Sequence, residues 1–289
     1  MQVDDKKINE LTTKASQIRE TIIKMLIAAG TGHTAGPLDM ADIFTALYFH
    51  LLRHDPKKPD WSGRDRLVLS NGHICPVLYA TMAHAGYFSV DEALTLRKFG
   101  SRMQGHPHRD FLTSLETSSG PLGSGLSQAV GMALANRIND GRTSDRFFYC
   151  LTGDGELNCG QIWEAAMLAG KEKLGNLIVI VDRNNIQIDG FTEDIMPLNP
   201  LADKWASFNF HVQEIDGHNF SEIISAVDRA KAVFDKPSVI IARTIASKGI
   251  PEFERKFEWH GKPPTSKEEI ETALNAMRTL NGKVKSEHQ

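Results

Sequence analysis

The stretch from residue 147 to residue 190 decides the fold. It contains two short apolar runs, each followed by polar residues: Phe147-Phe148-Tyr149-Cys150-Leu151, then Gly153-Asp154-Gly155, and later Leu177-Ile178-Val179-Ile180-Val181, then Asn184-Asn185. Runs of this length and continuity are typical of buried strands in a parallel sheet. Residues 160–174, between the runs, have helical spacing, with one stripe of aliphatic side chains: Ile162, Ala165, Ala166 and Ala169. The stretch therefore predicts a βαβ unit.

A polar cluster follows each predicted strand at its carboxyl end. Asp154 brings a carboxylate and Asn184 an amide oxygen. Ligands of open parallel sheets bind in the crevice outside these strand ends. Hard oxygen ligands suit Mg²⁺, or alternatively Ca²⁺, and Mg²⁺ usually takes few ligands from protein and others from substrate phosphates. The glycines beside Asp154 allow the backbone to approach a phosphate closely. The unit thus predicts a site for a divalent metal and a phosphorylated ligand.

The spacing of these clusters adds a resemblance. Gly-Asp-Gly followed after 28 residues by Asn-Asn is similar to the thiamine diphosphate motif, in which the Asp and the first Asn hold the metal on the diphosphate. Taken alone, the three-residue motif is more often a tight turn, and Asn-Asn a solvated loop. Because both predicted strands stand in place before it, we favour the cofactor interpretation.

Composition limits the class of protein. The chain has 289 residues, 41% hydrophobic and 24% charged, with a net charge of −3. These values are ordinary for a globular protein and indicate neither a nucleic acid nor a membrane as partner. The start of the chain is not typical of a signal peptide, and no apolar run approaches a membrane span. Three widely spaced cysteines indicate reduced thiols and a cytoplasmic protein.

The rest of the chain alternates predicted helices and strands. Further strands are predicted at residues 65–70, 210–215 and 238–243, and helices at residues 7–29, 39–52, 75–85, 91–99, 125–139, 221–234 and 266–280. Residues 191–209 are predicted to be irregular, and residues 281–289 to be a polar tail. We predict an α/β fold with a mostly parallel open sheet and helices on both faces. One domain over residues 1–289 is the simplest organisation, since there is no interior linker or repeat.

Four histidines lie in predicted loops, and each is next to a glycine: His33, His73, His106 and His260. A single Gly-His loop is most often a solvated surface histidine. Four such loops beside a candidate diphosphate site indicate more, because neutral histidines donate to phosphates, orient hydroxyls and move protons. The glycine-rich segment 120–125 opens a predicted helix, and a helix start favours anions. It is a further candidate cofactor contact.

These motifs, in this order, resemble the amino-terminal domain of transketolase. The resemblance rests on the segments Thr31-Gly32-His33, Leu69-Ser70-Asn71-Gly72-His73, Gly105-His106-Pro107 and Gly120-Pro121-Leu122-Gly123, together with the central unit. It covers residues 10–265 and implies a thiamine diphosphate-binding fold.

The resemblance also implies roles for individual residues. The implied metal ligands are Asp154, Asn184 and, through its backbone carbonyl, Ile186. The residues implied to contact the diphosphate or line the cofactor are His73, Gly120, Leu122, Gly155, Glu164, Ile188 and His260. The residues implied to hold the donor sugar and assist proton transfer are His33, His106 and His260.

The chain departs from the family pattern at two loops. Thr34-Ala35 replaces the usual Pro-Gly after His33, and Cys159 replaces a glutamate that is thought to join the two active sites of a dimer. The rigidity of the loop after His33 is therefore in question, though its histidine is kept, and we expect the link between active sites to be absent or altered.

The chain also ends before the pyrimidine-binding domain of a full transketolase would begin. That domain supplies the glutamate that activates the cofactor and the arginines that recognise the sugar phosphate. We therefore expect the amino-terminal subunit of a split transketolase. It would transfer a two-carbon ketol group between sugar phosphates, with a carboxyl-terminal partner subunit in an α₂β₂ assembly. Two alternatives are half of another thiamine diphosphate enzyme, such as the alpha chain of a 2-oxo acid dehydrogenase or a relative of deoxyxylulose-phosphate synthase, and a non-catalytic orphan half.

Overall fold

A parallel sheet of five strands forms the centre of the protein. The computed structural model describes residues 3–141 and 145–280. The sheet strands are β1 (Arg66–Leu69), β2 (Phe148–Gly153), β3 (Leu177–Arg183), β6 (His211–Asp216) and β7 (Ser238–Arg243). Their order is β1-β2-β3-β7-β6, and every neighbouring pair is parallel. A separate two-stranded antiparallel pair, β4 (Ile186–Gln187) and β5 (Gly190–Phe191), follows β3. The predicted fold class is confirmed.

Helices cover both faces of this sheet. They are α1 (Asp5–Ala29), α2 (Ala35–Asp39), α3 (Ala41–Ala46), α4 (Cys75–Ala85), α5 (Val90–Ala93), α6 (Ser124–Asp140), α7 (Gly160–Glu172), α8 (Thr192–Ile195), α9 (Leu201–Ser207), α10 (Phe220–Lys231) and α11 (Lys267–Leu280). One apolar core packs α1, α3, α4, α10 and α11 on one face, and a second packs α6, α7 and α9 on the other. Side chains alternate between the cores along a strand. In β3, Ile178 and Ile180 face the first core, and Val179 and Val181 face the second.

Three predicted segments differ from the structure. The helix predicted from Asp39 begins at Ala35 and runs through α2, α3 and a π-helical turn at Leu47–Leu51. Pro37 permits this earlier start because a proline is tolerated in the first helical turn. The helix predicted at residues 91–99 is only the single turn α5, after which the N–H groups of Thr95 and Leu96 bond to carbonyls three residues back. The positive φ of Arg97, 59°, excludes a helix across that residue. Residues 191–209, predicted to be irregular, contain α8 and α9.

Two predictions are not tested by the fold. The polar tail predicted for residues 281–289 lies outside the described residues, and the organisation as one domain over residues 1–289 stays a prediction. None of the helices within residues 3–141 and 145–280 is long and apolar enough to span a membrane.

Candidate active site

A cavity of about 390 Å³ lies at the carboxyl edge of β1, β2 and β3. Parallel strands bring their carboxyl ends to one edge, which is why separate polar tips meet there. The cavity is lined by almost all of the residues singled out from the sequence: His33, His73, His106, Gly120, Leu122, Asp154, Gly155, Asn184, Ile186, Ile188 and His260. Glu164 is the exception. It is exposed on α7 and does not line this cavity, so its proposed cofactor contact has no support from the geometry.

Asp154 follows β2 and is buried in a network of donors. Its carboxylate accepts hydrogen bonds from the backbone N–H of Gly155 (2.7 Å) and of Asn185 (2.8 Å). It also forms an ion pair with Arg183, whose Nη1 lies 3.1 Å from Oδ2. Burial raises the pKa of Asp154 to about 6, although Arg183 and the two N–H groups act in the opposite direction. A divalent cation in the cavity would favour the ionised carboxylate, as Arg183 does.

The chemistry of the donor set suits a hard cation shared with a ligand. Among the described residues, no group of three or more His, Cys, Asp or Glu side chains is arranged to hold a metal ion. Asp154 and Asn184 nevertheless line one cavity with Ile186, so a carboxylate and an amide lie beside the third residue of the implied set. Mg²⁺ is usually bound by one or two carboxylates plus substrate phosphates. The set therefore fits a metal carried on a diphosphate.

The histidines of three loops lie close together at the cavity wall. The ring centroid of His33 lies 4.8 Å from that of His73 and 5.6 Å from that of His260, and the His73 and His260 centroids are also 5.6 Å apart. The Nδ1 atoms of His33 and His260 are buried without a hydrogen-bond partner. Buried polar atoms normally have partners, so the hydrogen bonding of these two rings is incomplete at Nδ1.

Burial keeps these histidines neutral near pH 7. It lowers the pKa of His33 to about 4 and that of His73 well below its ordinary value, and the neighbouring histidines act in the same direction. It also lowers the pKa of His106 and of His260. A neutral imidazole has one N–H donor and one acceptor nitrogen. Each histidine can therefore donate to a ligand oxygen at one nitrogen and accept a proton at the other.

Contacts between loops hold the histidines in place. Thr34, where the family usually has proline, donates its hydroxyl hydrogen bond to the carbonyl of Lys262 at 2.6 Å and so joins the His33 loop to the His260 loop. Arg97 donates to the hydroxyl of Thr31 at 3.1 Å and to the carbonyl of Gly105 at 3.4 Å. It therefore links the His33 loop to the His106 loop. These contacts join the three loops, and the rigidity of the His33 loop stays a prediction.

Glu156 is a site residue that the sequence analysis missed. Its buried carboxylate accepts hydrogen bonds from the hydroxyl of Ser70, the N–H of Gly123 and the N–H of Gly153, the last at 3.1 Å. These donors come from the end of β1, the glycine-rich loop and the end of β2. Burial raises the pKa of Glu156, while the three donors oppose that effect. The carboxylate thus ties three walls of the cavity together.

The glycine-rich loop approaches β1 more closely than a side chain would allow. A Cβ on Gly125 would lie 2.6 Å from the Cα of Ser70, which is backbone and has no freedom to move away. Gly123 has a positive φ of 87°, which favours glycine. The start of α6 therefore lies against the end of β1, beside the cavity.

Two further buried carboxylates, Asp39 and Asp182, were also missed. Asp182 lines the cavity at the end of β3, and both contact the side chain of Asn184. Burial raises the pKa of Asp182 to about 8 and the pKa of Asp39 well above its usual range. From the sequence, Asp182 is predicted only to end a strand, and Asp39 only to begin a helix. Neither position carries a local signal for the site.

Comparison with known proteins identifies the family. A family described as "Transketolase, thiamine diphosphate binding domain" matches residues 11–281. The chain belongs to the transketolase family. The transketolase of Campylobacter jejuni has a TM-score of 0.86 with this structure at 37% sequence identity, covering 93% of this chain and 43% of that one. A Pichia stipitis transketolase, in complex with a sugar phosphate, gives a TM-score of 0.87 at 34% identity.

Transketolase relatives of two lengths match the chain. It is 44% identical to the 6-deoxy-6-sulfo-D-fructose transketolase subunit SqwG of Clostridium sp. (strain MSTE9), over 87% of this chain and 90% of the relative. It is 36% identical to an apulose-4-phosphate transketolase subunit of Phocaeicola vulgatus, over 98% of this chain and 99% of the relative. Human transketolase is 38% identical, but the matched segment is only 41% of its length. The chain thus matches subunits over nearly their full length, and these matches do not favour the two alternative classes.

Proposed function

We propose that this chain is the amino-terminal, thiamine diphosphate-binding subunit of a two-chain transketolase. It would transfer a two-carbon ketol group from a ketose phosphate to an aldose phosphate. The observation that carries the proposal is the single cavity in which Asp154, Asn184 and the four loop histidines meet. The near-complete match to two transketolase subunits supports a separate partner chain.

We assign the cofactor contacts as follows. Asp154, Asn184 and the carbonyl of Ile186 would hold Mg²⁺, and His73, Gly155 and His260 would contact the diphosphate. Gly120, Leu122 and Ile188 would line the rest of the cofactor. Bound thiamine diphosphate supplies the nucleophilic carbon and the electron sink for cleavage of the sugar's carbon–carbon bond. The protein's part is to orient the cofactor and the sugar.

The neutral histidines would manage the protons of the donor sugar. His33, His106 and His260 are assigned to the sugar's carbonyl and first hydroxyl. Because burial keeps them neutral, each can donate a hydrogen bond to the carbonyl oxygen or accept the hydroxyl proton.

The anionic group of the sugar would be recognised by the partner subunit. Among the described residues that line the cavity there is no lysine or arginine, whereas Asp154, Glu156, Asp182 and Asp189 bring carboxylates. A phosphate would therefore find no cation on this chain's wall. One relative's name specifies 6-deoxy-6-sulfo-D-fructose and another's apulose 4-phosphate. We accordingly leave the donor as a ketose that carries a terminal phosphate or sulfonate.

The partner would dock around the cavity mouth. Leu122, Ile188, Phe191, Ile195 and Met196 are exposed and surround or follow the cavity-lining segments. Exposed apolar side chains mark an interaction surface when they form a contiguous patch, as we propose for this group. Two copies of each chain would make an α₂β₂ assembly in the cytoplasm, where the three free cysteines would stay reduced.

Activity reconstitution tests the proposed function. The chain is assayed alone, then with the partner subunit, using ketose phosphates and a ketose sulfonate as donors, aldose phosphates as acceptors, thiamine diphosphate and Mg²⁺. We expect turnover only in the mixture. Robust turnover by the isolated chain would refute the two-chain proposal. An absence of turnover both with and without the partner subunit would favour the orphan half.

A further inference from the structure

The side-chain amide of Asn184 is held in one orientation by two buried carboxylates. Its Nδ2 donates to Oδ2 of Asp39 at 2.8 Å and to Oδ2 of Asp182 at 3.1 Å. An amide nitrogen has two N–H donors, and the carboxyl oxygen that faces it on each acid is the acceptor of one hydrogen bond. Both donors are therefore used, one on each carboxylate. If the amide were rotated by half a turn, its oxygen would face two acceptors and both hydrogen bonds would be lost.

The opposite end of the same amide has a matching constraint. Oδ1 of Asn184 accepts a hydrogen bond from the N–H of Ile186 at 3.1 Å. In the rotated orientation, the NH₂ group would face this N–H, so that two donors would oppose each other. The carboxylates on one side and the Ile186 N–H on the other thus select the same orientation. The oxygen of Asn184 points away from the acids.

The two carboxylates are themselves held by other elements. The remaining oxygen of Asp39 accepts from the N–H of Ser247 at 2.9 Å, and that of Asp182 accepts from the hydroxyl of Thr244. Asp39 is fully buried at the end of α2, and Asp182 is 1% exposed in β3. Each carboxylate oxygen therefore has one donor, and the arrangement joins α2, β3 and the segment that follows β7. Such a network leaves little freedom for Asn184 to turn.

We propose that Asp39 and Asp182 are positioning residues that direct the amide oxygen of Asn184 toward the metal carried on the diphosphate. The inference rests on the proposed function, which places Asn184 among the metal ligands. The groups that orient metal ligands are part of a site's design, and their loss typically weakens metal affinity about 10–100-fold. Asp39 is the better residue to change, because Asp182 also belongs to the central strand.

The test measures metal binding by the complex of this chain with its partner subunit. Mg²⁺ is titrated at saturating thiamine diphosphate for wild type, Asp39→Asn and Asp39→Ala, and cofactor affinity is measured again at saturating Mg²⁺. Asp39 accepts one hydrogen bond from Asn184 and one from the N–H of Ser247. In Asp39→Asn an NH₂ group replaces one of the two accepting oxygens and faces one of these donors. This variant therefore loses a hydrogen bond although its side chain has nearly the same shape. We expect about 10–100-fold weaker Mg²⁺ affinity in both variants, with cofactor affinity recovered at high Mg²⁺.

A double-mutant cycle separates orientation from charge. If Asp39 acts through the amide, its replacement has little further effect in an Asn184→Ala background. If it acts only through its negative charge, the two losses in metal affinity add in full, and the inference is wrong. Asp42→Asn is the matched control. Asp42 is also a buried aspartate, but it pairs with Arg19 and His218. This variant is expected to lose stability and to keep Mg²⁺ affinity within about twofold.

The outcomes distinguish the inference from the proposed function. Wild-type Mg²⁺ affinity in a folded Asp39→Asn variant would overturn the inference and leave the proposed function intact. A wild-type complex without metal-dependent cofactor binding would overturn the proposed function and, with it, the inference. If Asp39→Ala fails to fold, Asp39→Asn carries the test, because it nearly keeps the shape of the side chain.

Discussion

Removing the carboxylate of Glu156 should destabilise the chain and weaken cofactor binding together. In Glu156→Ala, the hydroxyl of Ser70 and the N–H groups of Gly123 and Gly153 lose their common acceptor. A buried donor left without a partner costs about 1–3 kcal/mol. Three donors set an upper limit of roughly 3–9 kcal/mol on the loss of unfolding free energy.

The net effect should be smaller than this limit. Burial raises the pKa of Glu156, so the wild-type fold already bears a desolvation penalty that the alanine variant relieves. Water entering from the cavity would also satisfy some of the donors. We therefore expect Glu156→Ala to lose about 2–5 kcal/mol, and Glu156→Gln to lose less, because its amide oxygen still accepts.

Urea unfolding of the chain and cofactor titration of the two-chain complex measure the two effects. The control is Glu164→Ala on α7. This carboxylate is exposed in the isolated chain, and its loss should change the unfolding free energy by no more than about 0.5 kcal/mol. A Glu156→Ala variant with less than about 1 kcal/mol of destabilisation would show that the three donors find other acceptors. Unchanged cofactor affinity would show that the glycine-rich loop does not need this carboxylate.

Three further predictions concern the cavity itself. Asp154→Ala should abolish metal-dependent cofactor binding by the complex, because a charged ligand is lost; wild-type affinity in a thiamine diphosphate and Mg²⁺ titration would remove the metal assignment. His73→Ala should mainly weaken cofactor affinity, whereas His106→Ala should raise the donor's KM or lower kcat; loss of cofactor alone in both variants would contradict the sugar-side role of His106. The pKa of His33 is about 4 in the folded chain and 6.5 when unperturbed. Between these values the unfolded chain binds a proton that the folded chain does not, so the free energy of unfolding falls as pH falls from 6.5 toward 4. His33→Asn should remove up to about 3 kcal/mol of this pH dependence in urea unfolding of the cofactor-free chain, and identical profiles would refute the shift.

Local patterns in the sequence were sufficient for the sheet and for most of the cavity. Continuous apolar runs such as Leu177–Val181 indicate buried strands, because only side chains that are covered on both faces can all be apolar. The turn around Asp154, the pair that begins at Asn184 and the Gly-His loops each follow an element end, and the topology of a parallel sheet brings those ends to one edge. Family membership and fold class were therefore predictable from the sequence and are confirmed. The assigned roles of the individual residues stay predictions.

Only the tertiary structure decided which buried polar groups form hydrogen bonds to the residues of the cavity wall. Glu156 lies two residues after Asp154 and is the acceptor for donors more than 30 and more than 80 positions away, Gly123 and Ser70. Asp39 meets the amide of Asn184 across 145 positions. Sequence patterns indicate which faces of a segment are buried and where the chain turns, because both properties depend on residues that are near in the sequence. Which buried donor finds which acceptor depends on the distance and direction between elements that are remote in the chain, and packing alone sets these.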